Sequence, residues 1–444
     1  MENISAISTS LAPSGVAIIR VSGSDPLNIA KKMFRAFCKT DVENFEPNKM
    51  YVGEIDGVGF KDTGLCVYFK APKSYTGEDM VEFHSHGGVA IAKGVLQKTI
   101  ELGARLATNG EFTKRAFLNG KMSLSSAEGL IDMINSESVG EVKAGYYLYR
   151  EKLKVKTEEM QNKLTNALAQ IDADIDFPEE DLETFDAPEI KSKLVEVKND
   201  IDVLLKSYKT GRKLKNGVRV SICGKPNTGK SHLLNALLNY DKAIVSSIAG
   251  TTRDIVEGEV VINGIKFCFY DTAGIRESDN EIEKIGINLA KKNILESDLV
   301  LYVIDASIEN DFVDETLLES VKDKNVLIIL NKIDKPIINK TKGDLLVSAK
   351  TGENIENLKQ ALYDIAIDSG IDLNGDFLTE ERHYNALVRA SEKLDLAIIN
   401  IGIYPLDVVA IDIKDAWEYL GEISGKTASE DIISEIFAKF CVGK

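Results

Sequence analysis

The sequence is poor in what several protein classes require. Its cysteines, Cys38, Cys66, Cys223, Cys268 and Cys441, are odd in number and nowhere spaced as C-x-x-C, so neither a disulfide framework nor a cysteine zinc site is expected. A reducing cytosol is the expected compartment. No apolar run approaches a bilayer span, the longest being Val300 to Ile304 and Val326 to Leu330. The opening MENISAISTS lacks the basic start and apolar stretch of a signal peptide, so the expectation is a cytoplasmic protein that stays off the membrane. Positive charge is also short: 54 Lys and Arg stand against 70 Asp and Glu, a net charge of −16. That is the wrong sign for holding nucleic acid on a general basic surface, and any such contact must be a local patch. The 44 % hydrophobic and 28 % charged residues exclude a mostly disordered or fibrous chain. At roughly 150 residues per domain, 444 residues imply about three domains.

The texture changes along the chain. From Gly15 to about Asn119, short apolar runs (Val16 to Val21, Leu65 to Phe69) mix with a helical pattern from Val89 to Leu106, as in an α+β domain. Asp25-Pro26 is a helix start, a side-chain cap followed by a proline whose missing amide costs nothing there, ahead of the periodic Leu27 to Phe37. From Ser123 to Tyr208 glycine is scarce, proline is confined to Pro178 and Pro188, and apolar residues recur three and four apart, as at Leu164, Leu168 and Ile171. This region reads as helical, and the same texture returns from about Phe377 to Phe440. Between them, β-rich runs alternate with helices in the manner of a parallel α/β domain, with the basic segment Lys206 to Gly217 as the lead-in linker. The simplest account is an α/β domain (216–376) inserted into one helical domain (120–215 and 377–444), preceded by an α+β domain (1–119).

The strongest motif is GKPNTGKS, Gly224 to Ser231, after the alternating strand Val218, Val220, Ile222 and before a helix carrying Leu233, Leu234, Leu237 and Leu238. This is a phosphate loop in its required context. Backbone amides around Asn227, Thr228 and Gly229 turn toward phosphate oxygens, Lys230 neutralises the outer phosphates, and the Ser231 hydroxyl, followed by His232, binds Mg²⁺. DTAG (Asp271, Thr272, Ala273, Gly274) ends the strand Phe267 to Tyr270, where Asp271 can hold a magnesium water and Gly274 the γ-phosphate. NKID, with Asn331, Lys332 and Asp334, ends the strand Val326 to Leu330, and its carboxylate accepts both N1 and N2 hydrogens of guanine, which adenine cannot offer. SAK (Ser348, Ala349, Lys350) follows Leu345 to Val347 as the third guanine loop. Between the first two lies IAGTTRD, Ile248 to Asp254, with Thr252 placed to complete the magnesium shell. Asn263-Gly264 marks a hairpin between Val260 to Ile262 and Ile265 to Phe269. The elements in this order define a GTP site. After the DxxG glycine, where Ras-like enzymes carry a water-orienting glutamine, stands Ile275, which can neither donate nor accept. Arg276, Glu277, Asp279, Glu281 and Glu283 are the nearby polar candidates.

Beyond the G motifs, APKSYTGEDMVEFHSHGG (Ala71 to Gly88), GEFTKRAFLNGKMSLSSAE (Gly110 to Glu128), DIDFPEED (Asp174 to Asp181), GTTRD, DTAGIRE and the terminal FCVGK are found. With these the whole chain resembles the MnmE (TrmE) family of tRNA-modification GTPases. The resemblance implies an α/β P-loop GTPase domain inserted in an all-α helical domain, preceded by an α+β folate-binding and dimerisation domain. It implies a homodimer working with the flavoprotein MnmG, which carries FAD, to build an aminomethyl or carboxymethylaminomethyl group on C5 of the tRNA wobble uridine from methylene-tetrahydrofolate. It implies K⁺ held by Asn227, Ser246, Ile248 and Thr251, with Ser247, Ala249 and Gly250 in the same nucleotide-facing loop, and it assigns the water to Glu283. Folate falls to Arg20, Glu82, Lys121 and Lys444, while Cys441 matches the family's cysteine, either near the one-carbon unit or a bystander. His84 and His86, spaced like metal ligands but without a third partner, read as local structure near the folate site. Two departures are Thr9 to Gly15, where the family has a proline- and glycine-rich loop, and His232, where it has a small residue. A switch GTPase of the Era or Der kind is the rival reading, distinguished by an RNA-binding module or second phosphate loop, neither of which this chain carries.

Overall fold

The computed structural model describes residues 2–176, 187–240, 258–271, 293–309, 311, 313, 319, 321–322, 324–373 and 375–443, without the side chains of 239, 240 and 271. They form two compact units, one of Met1–Ile131, Leu148–Val197 and Glu392–Lys444, the other of Asp132–Tyr147 and Lys198–Ser391.

In the first unit β1 (Ile4–Ile7), β2 (Ser14–Gly23), β3 (Phe34–Ala36), β4 (Met50–Gly57), β5 (Phe60–Phe69), β6 (Asp79–Gly87) and β7 (Arg105–Leu106) make one sheet, ordered β3-β4-β5-β6-β2-β1-β7. Alternation along β2 sends Ala17, Ile19 and Val21 into a core with Ile55, Cys66, Val81 and Phe83, closed by α1 (Pro26–Met33) and α2 (Val89–Glu101). The same alternation puts Arg20 on the other face, in register with Glu82 of β6 and Ala6 of β1. There α3 (Glu111–Leu118) covers the sheet, and Phe112 joins Ile4, Ala6, Ala107 and Tyr75 in a second, smaller core.

Asp25 caps α1 by accepting the Asn28 amide, as its sequence implies. The periodic stretch to Phe37 does not stay helical, however. Phe34 is extended (φ −126°, ψ 132°) and opens β3 opposite Ile55, from where its ring reaches Phe45 and Phe83. The stretch Val89 to Leu106 also ends early: Gly103, at φ +106°, turns the chain so that Arg105 and Leu106 pair with β1. Short apolar runs do not repeat often enough to separate a helical end from a strand.

The described residues also form the α-helices α4 (Leu124–Asn135), α5 (Val139–Tyr149), α6 (Lys152–Asp176), α7 (Ala187–Asn216), α8 (Lys230–Tyr240), α9 (Ile355–Asp368), α10 (Glu381–Asn400), α11 (Leu406–Ser424) and α12 (Glu430–Ala438). In the first unit α6 packs along α11. Leu153, Thr157, Met160, Leu164, Ala167 and Ile171 face Val409, Ile413, Ala416, Leu420 and Ile423, spacings of three and four on both helices. The seam takes Ala167 where the apolar pattern pointed to Leu168, which is only half-buried. Trp417 seals it by donating Nε1–H to Thr165 (3.1 Å) while its carbonyl accepts from Gln161 (2.9 Å). Phe437 at the end of α12 and Phe440 just past it pack against Phe117, Leu124 and Ala127. The tail is then stitched to the N-terminal sheet: the Cys441 carbonyl accepts from Gly110, and the Gly443 carbonyl from the Ser8 hydroxyl at 3.2 Å. Gly443 has φ +98°, and a Cβ there would lie 2.2 Å from the Ile7 carbonyl oxygen, so only glycine fits.

The second unit holds β8 (Val218–Cys223), β9 (Gly258–Ile262), β10 (Ile265–Asp271), β11 (Leu299–Asp305), β12 (Asn325–Asn331) and β13 (Leu345–Val347), ordered β13-β12-β11-β8-β10-β9. All pairs are parallel except β9 with β10, joined at Asn263 (φ +50°) and Gly264 (φ +85°). β11 is buried on both faces, Leu299, Leu301 and Val303 entering one core and Val300, Tyr302 and Ile304 the other. That is the signature of a parallel sheet covered on both sides.

Where the chain enters and leaves this sheet, Lys215 of α7 bonds both Asp132 (2.8 Å) and Glu380. Two half-buried carboxylates share one cation. Burial and the Glu380 charge push the Asp132 carboxyl up to about 8, against the pull of Lys215. A folded-state pKa raised above its unfolded value means the native chain keeps a proton the unfolded chain has lost, so this site's stability drains as pH rises from about 4 to about 8. Asp132→Asn, uncharged at every pH, is therefore expected to gain on the wild type in thermal unfolding across that window; a pH-independent difference would contradict it.

Candidate functional site

The parallel sheet builds its site at the carboxyl ends of β8, β12 and β13. Gly224, at φ +140°, leaves β8 so close to β11 that a Cβ would sit 2.2 Å from the Val303 carbonyl oxygen. Asn227 (φ +66°) and Gly229 (φ +95°) turn the loop back into α8, where the Leu233 amide bonds the Gly229 carbonyl. The loop is tied across its own mouth: Lys230 Nζ donates to the carbonyls of Gly224 and Lys225, each at 2.9 Å, and the Thr228 hydroxyl to that of Lys225 at 3.0 Å. The result is a concave run of backbone at a helix N-terminus with one ammonium drawn over it, an anion cradle. Ser231, the second residue of α8, is exposed, and so is His232 beside it. β10 runs parallel to β8 with Asp271 beside Ile222, which brings the first residue of DTAG to the same sheet end. A hydroxyl and a carboxylate position there suit Mg²⁺ carried on a nucleotide, which keeps most of its ligands as water and phosphate. Among the described residues no group of three or more His, Cys, Asp or Glu could hold a metal by itself.

The base-reading loops are locked to the cradle through Asn331. Its side chain, in a residue 1 % exposed, donates to the Thr228 carbonyl (2.9 Å) and accepts from the Ala349 amide (3.0 Å). Gly229 is glycine because a Cβ would stand 2.4 Å from that same Asn331 amide nitrogen. The Ser348 hydroxyl donates to Asp334 Oδ1 at 2.8 Å, orienting an otherwise exposed carboxylate. Lys350 follows, exposed. Thus Asn227 to His232, Asn331, Lys332, Asp334 and Ser348 to Lys350 come together as the motifs imply. Ser246 to Thr252, Thr272 to Gly274, Arg276, Glu277, Asp279, Glu281, Glu283 and Lys444 lie outside the described residues.

Motif reading missed Asp305 and Asp311. Asp305 ends β11, and its Oδ2 accepts from Lys332 Nζ at 2.6 Å; Asp311 Oδ2 accepts the Asp305 amide at 2.8 Å, while Lys225 Nζ lies 3.2 Å from Oδ1. The only signal was position, an acid closing a wholly apolar strand.

The second constellation sits on the α3-covered face of the first unit. Arg20 Nε bonds Glu82 Oε1 at 2.8 Å, and His84 Nε2 lies 3.3 Å from Oε2. The guanidinium rests over Tyr75 (5.1 Å) and Phe112 (5.6 Å). Burial alone raises the Glu82 carboxyl, but His84 and Arg20 outweigh it and hold it below the ordinary range. Lys121 donates to the Pro72 carbonyl (2.9 Å), on the loop that carries Tyr75. The two histidines part company: His86 bonds Asp62 (2.7 Å), not Glu82. Cys441 is exposed, as is Cys38, and the other cysteines are buried and free. In the loop Thr9 to Gly15, the Thr9 hydroxyl takes the Ile18 amide.

A parallel sheet with a phosphate cradle at its carboxyl edge, Asn331 linking that cradle to the NKID and SAK loops, and an exposed Asp334 carboxylate oriented by Ser348 defines a P-loop protein of the GTP-binding class. Comparison with known proteins narrows the class. The family profile described as "GTP-binding protein TrmE N-terminus" matches residues 3–121, and "MnmE helical domain" matches 124–441. The tRNA modification GTPase MnmE of Thermoanaerobacter pseudethanolicus is 39 % identical over 460 aligned residues, and that of Acetivibrio thermocellus 40 % over 457; both alignments cover 100 % of this chain and 99 % of the relative. Among solved structures, the Era protein of Aquifex aeolicus bound to GDP and AlF₄⁻ matches 40 % of this chain and 67 % of its own at 29 % identity, with a TM-score of 0.27 that adds nothing to the assignment. The chain belongs to the MnmE family of tRNA modification GTPases. No helix among the described residues is long and apolar enough to cross a membrane.

Proposed function

We propose that the protein is a K⁺-activated GTPase that works with the flavoprotein MnmG in the cytoplasm. Together they add an aminomethyl or carboxymethylaminomethyl group to C5 of the tRNA wobble uridine, with methylene-tetrahydrofolate as one-carbon donor and FAD held by the partner. The observation that carries the reading is the coexistence, in one chain of this family, of a P-loop with its guanine motifs and an Arg20–Glu82–His84 constellation centred on the buried Glu82. Lys230 and the loop amides hold the phosphates, Ser231 and Thr252 face Mg²⁺, and Asn227, Ser246, Ile248 and Thr251 hold K⁺. A monovalent cation between phosphates offsets charge developing in the transition state as an arginine finger does. Glu283 orients the attacking water. In the first unit Glu82 accepts from the amino-pyrimidinone edge of a pterin, while Arg20, Lys121 and Lys444 suit the anionic tail.

A homodimer through the N-terminal domains is supported by exposed apolar side chains at the sheet edge: Met50 and Val52 point outward from β4, and Phe37 donates its amide to the Val52 carbonyl beside them. tRNA is held mainly by the complex, in keeping with the net charge of −16. The Era- or Der-like alternative is not favoured, because the family match extends over the N-terminal and helical parts.

Reconstitution tests the reading. The chain, MnmG, FAD, methylene-tetrahydrofolate, GTP and KCl should together modify wobble uridine in unmodified tRNA, measured as a mass increase on the nucleoside. Omitting the chain should abolish it, and Glu82→Gln should cut tetrahydrofolate binding roughly tenfold or more while GTP hydrolysis continues. Full GTP turnover with unaltered tRNA in the complete mixture would favour the switch-only alternative.

A further inference from the structure

Lys332 belongs to the NKID motif, yet its ammonium does not simply face solvent. With the backbone left-handed at φ +71°, Nζ donates both to the Asn227 carbonyl of the phosphate loop and to Asp305 Oδ2. Asp305 is fixed in turn. Its side chain is 4 % exposed, its Oδ1 accepts the Ser307 amide (2.9 Å) and hydroxyl (2.6 Å), and its own amide is held by Asp311. Burial raises this carboxyl, but the bonds from Lys332 and Ser307 outweigh it and keep the group ionised below the usual carboxylate range.

A lysine is a point charge on a flexible stem and holds one geometry only when something immobile anchors it. Here the anchor is a desolvated carboxylate at the end of the fully buried strand β11. We propose that Asp305 is a positioning residue for nucleotide binding: it fixes Lys332 as a brace between the guanine-reading loop and Asn227, so that the base site and the phosphate loop are set together. The proposal rests on the guanine-nucleotide reading of this site and is independent of K⁺, folate and tRNA. Because GDP and GTP share base and loop, the brace contributes to both equally, as uniform binding.

The test is a double-mutant cycle on the full chain with fluorescent GDP. Asp305→Asn should weaken GDP about tenfold, raise KM for GTP by a similar factor, and change kcat less than twofold. In a Lys332→Met background the same substitution should cost nothing further, since the brace is already gone. Ser307→Ala, which removes the hydroxyl bond to Oδ1 but keeps the amide bond, should lose about threefold in the wild type and nothing in Lys332→Met, and it carries the test if Asp305→Asn does not fold. Losses that add in the Lys332→Met background, or a fall in kcat at unchanged KM, would overturn the brace. A wild-type chain that fails to bind GDP would instead strike the nucleotide reading beneath it.

Discussion

Asp334→Asn is expected to lower GTP affinity about a thousandfold and to create affinity for xanthosine triphosphate. In the proposed reading the carboxylate accepts two hydrogens from one guanine edge, and charge-assisted bonds of this kind contribute about 1.5–3 kcal/mol each, so losing both spans two to four decades. An amide in its place sets a donor against the guanine amino group. Xanthine carries a carbonyl at that position, which the amide satisfies. Ser348 already donates to Oδ1 at 2.8 Å, so the side chain is pre-oriented and the exchange is chemical rather than conformational. Competition against fluorescent GDP measures both affinities. Unchanged GTP binding in the variant would show that Asp334 does not read the base.

Glu283→Ala is expected to abolish turnover, a fall of about a thousandfold or more in kcat, with GTP affinity within twofold of the wild type. Ile275 has no lone pair or proton for the water, and positioned proton acceptors contribute about 10²- to 10⁴-fold. Single-turnover hydrolysis separates this from a binding defect. Normal hydrolysis in the variant would transfer the role to another acid of the same stretch, Glu277, Asp279 or Glu281.

What could be read from the chain in advance was whatever its chemistry writes contiguously. GKPNTGKS, NKID and SAK each close a strand, and the structure joins them through Asn331. Asn263-Gly264 announced its own turn, because the type I′ hairpin turn demands positive φ at both positions, which Asn-Gly adopts readily. The Arg20–Glu82 pair was legible only through family likeness; its physical cause is register, β2 and β6 placing the two opposite each other on one face. Illegible were features made by distant partners. Asp305 and Lys332 meet only because β11 and β12 are neighbours, and nothing in VIDAS marks the acid. The anchoring of Gly443 on Ile7 and Ser8 joins the two ends of the described chain, beyond any local pattern. Phe34 and Arg105 left their helices for strands because a sheet edge offered backbone partners that periodicity does not encode. Ala167 rather than Leu168 enters the α6–α11 seam because the buried positions alternate four and three apart, and 164, 167 and 171 keep that phase.

The central claim, that this P-loop hydrolyses GTP with a monovalent cation in place of an arginine finger, is tested most directly by the wild-type kcat in KCl and in NaCl at equal ionic strength and saturating GTP and Mg²⁺. The rate is expected to be at least about tenfold higher in KCl, because an ion of the right size must replace missing positive charge in the transition state. Equal rates in the two salts would contradict it.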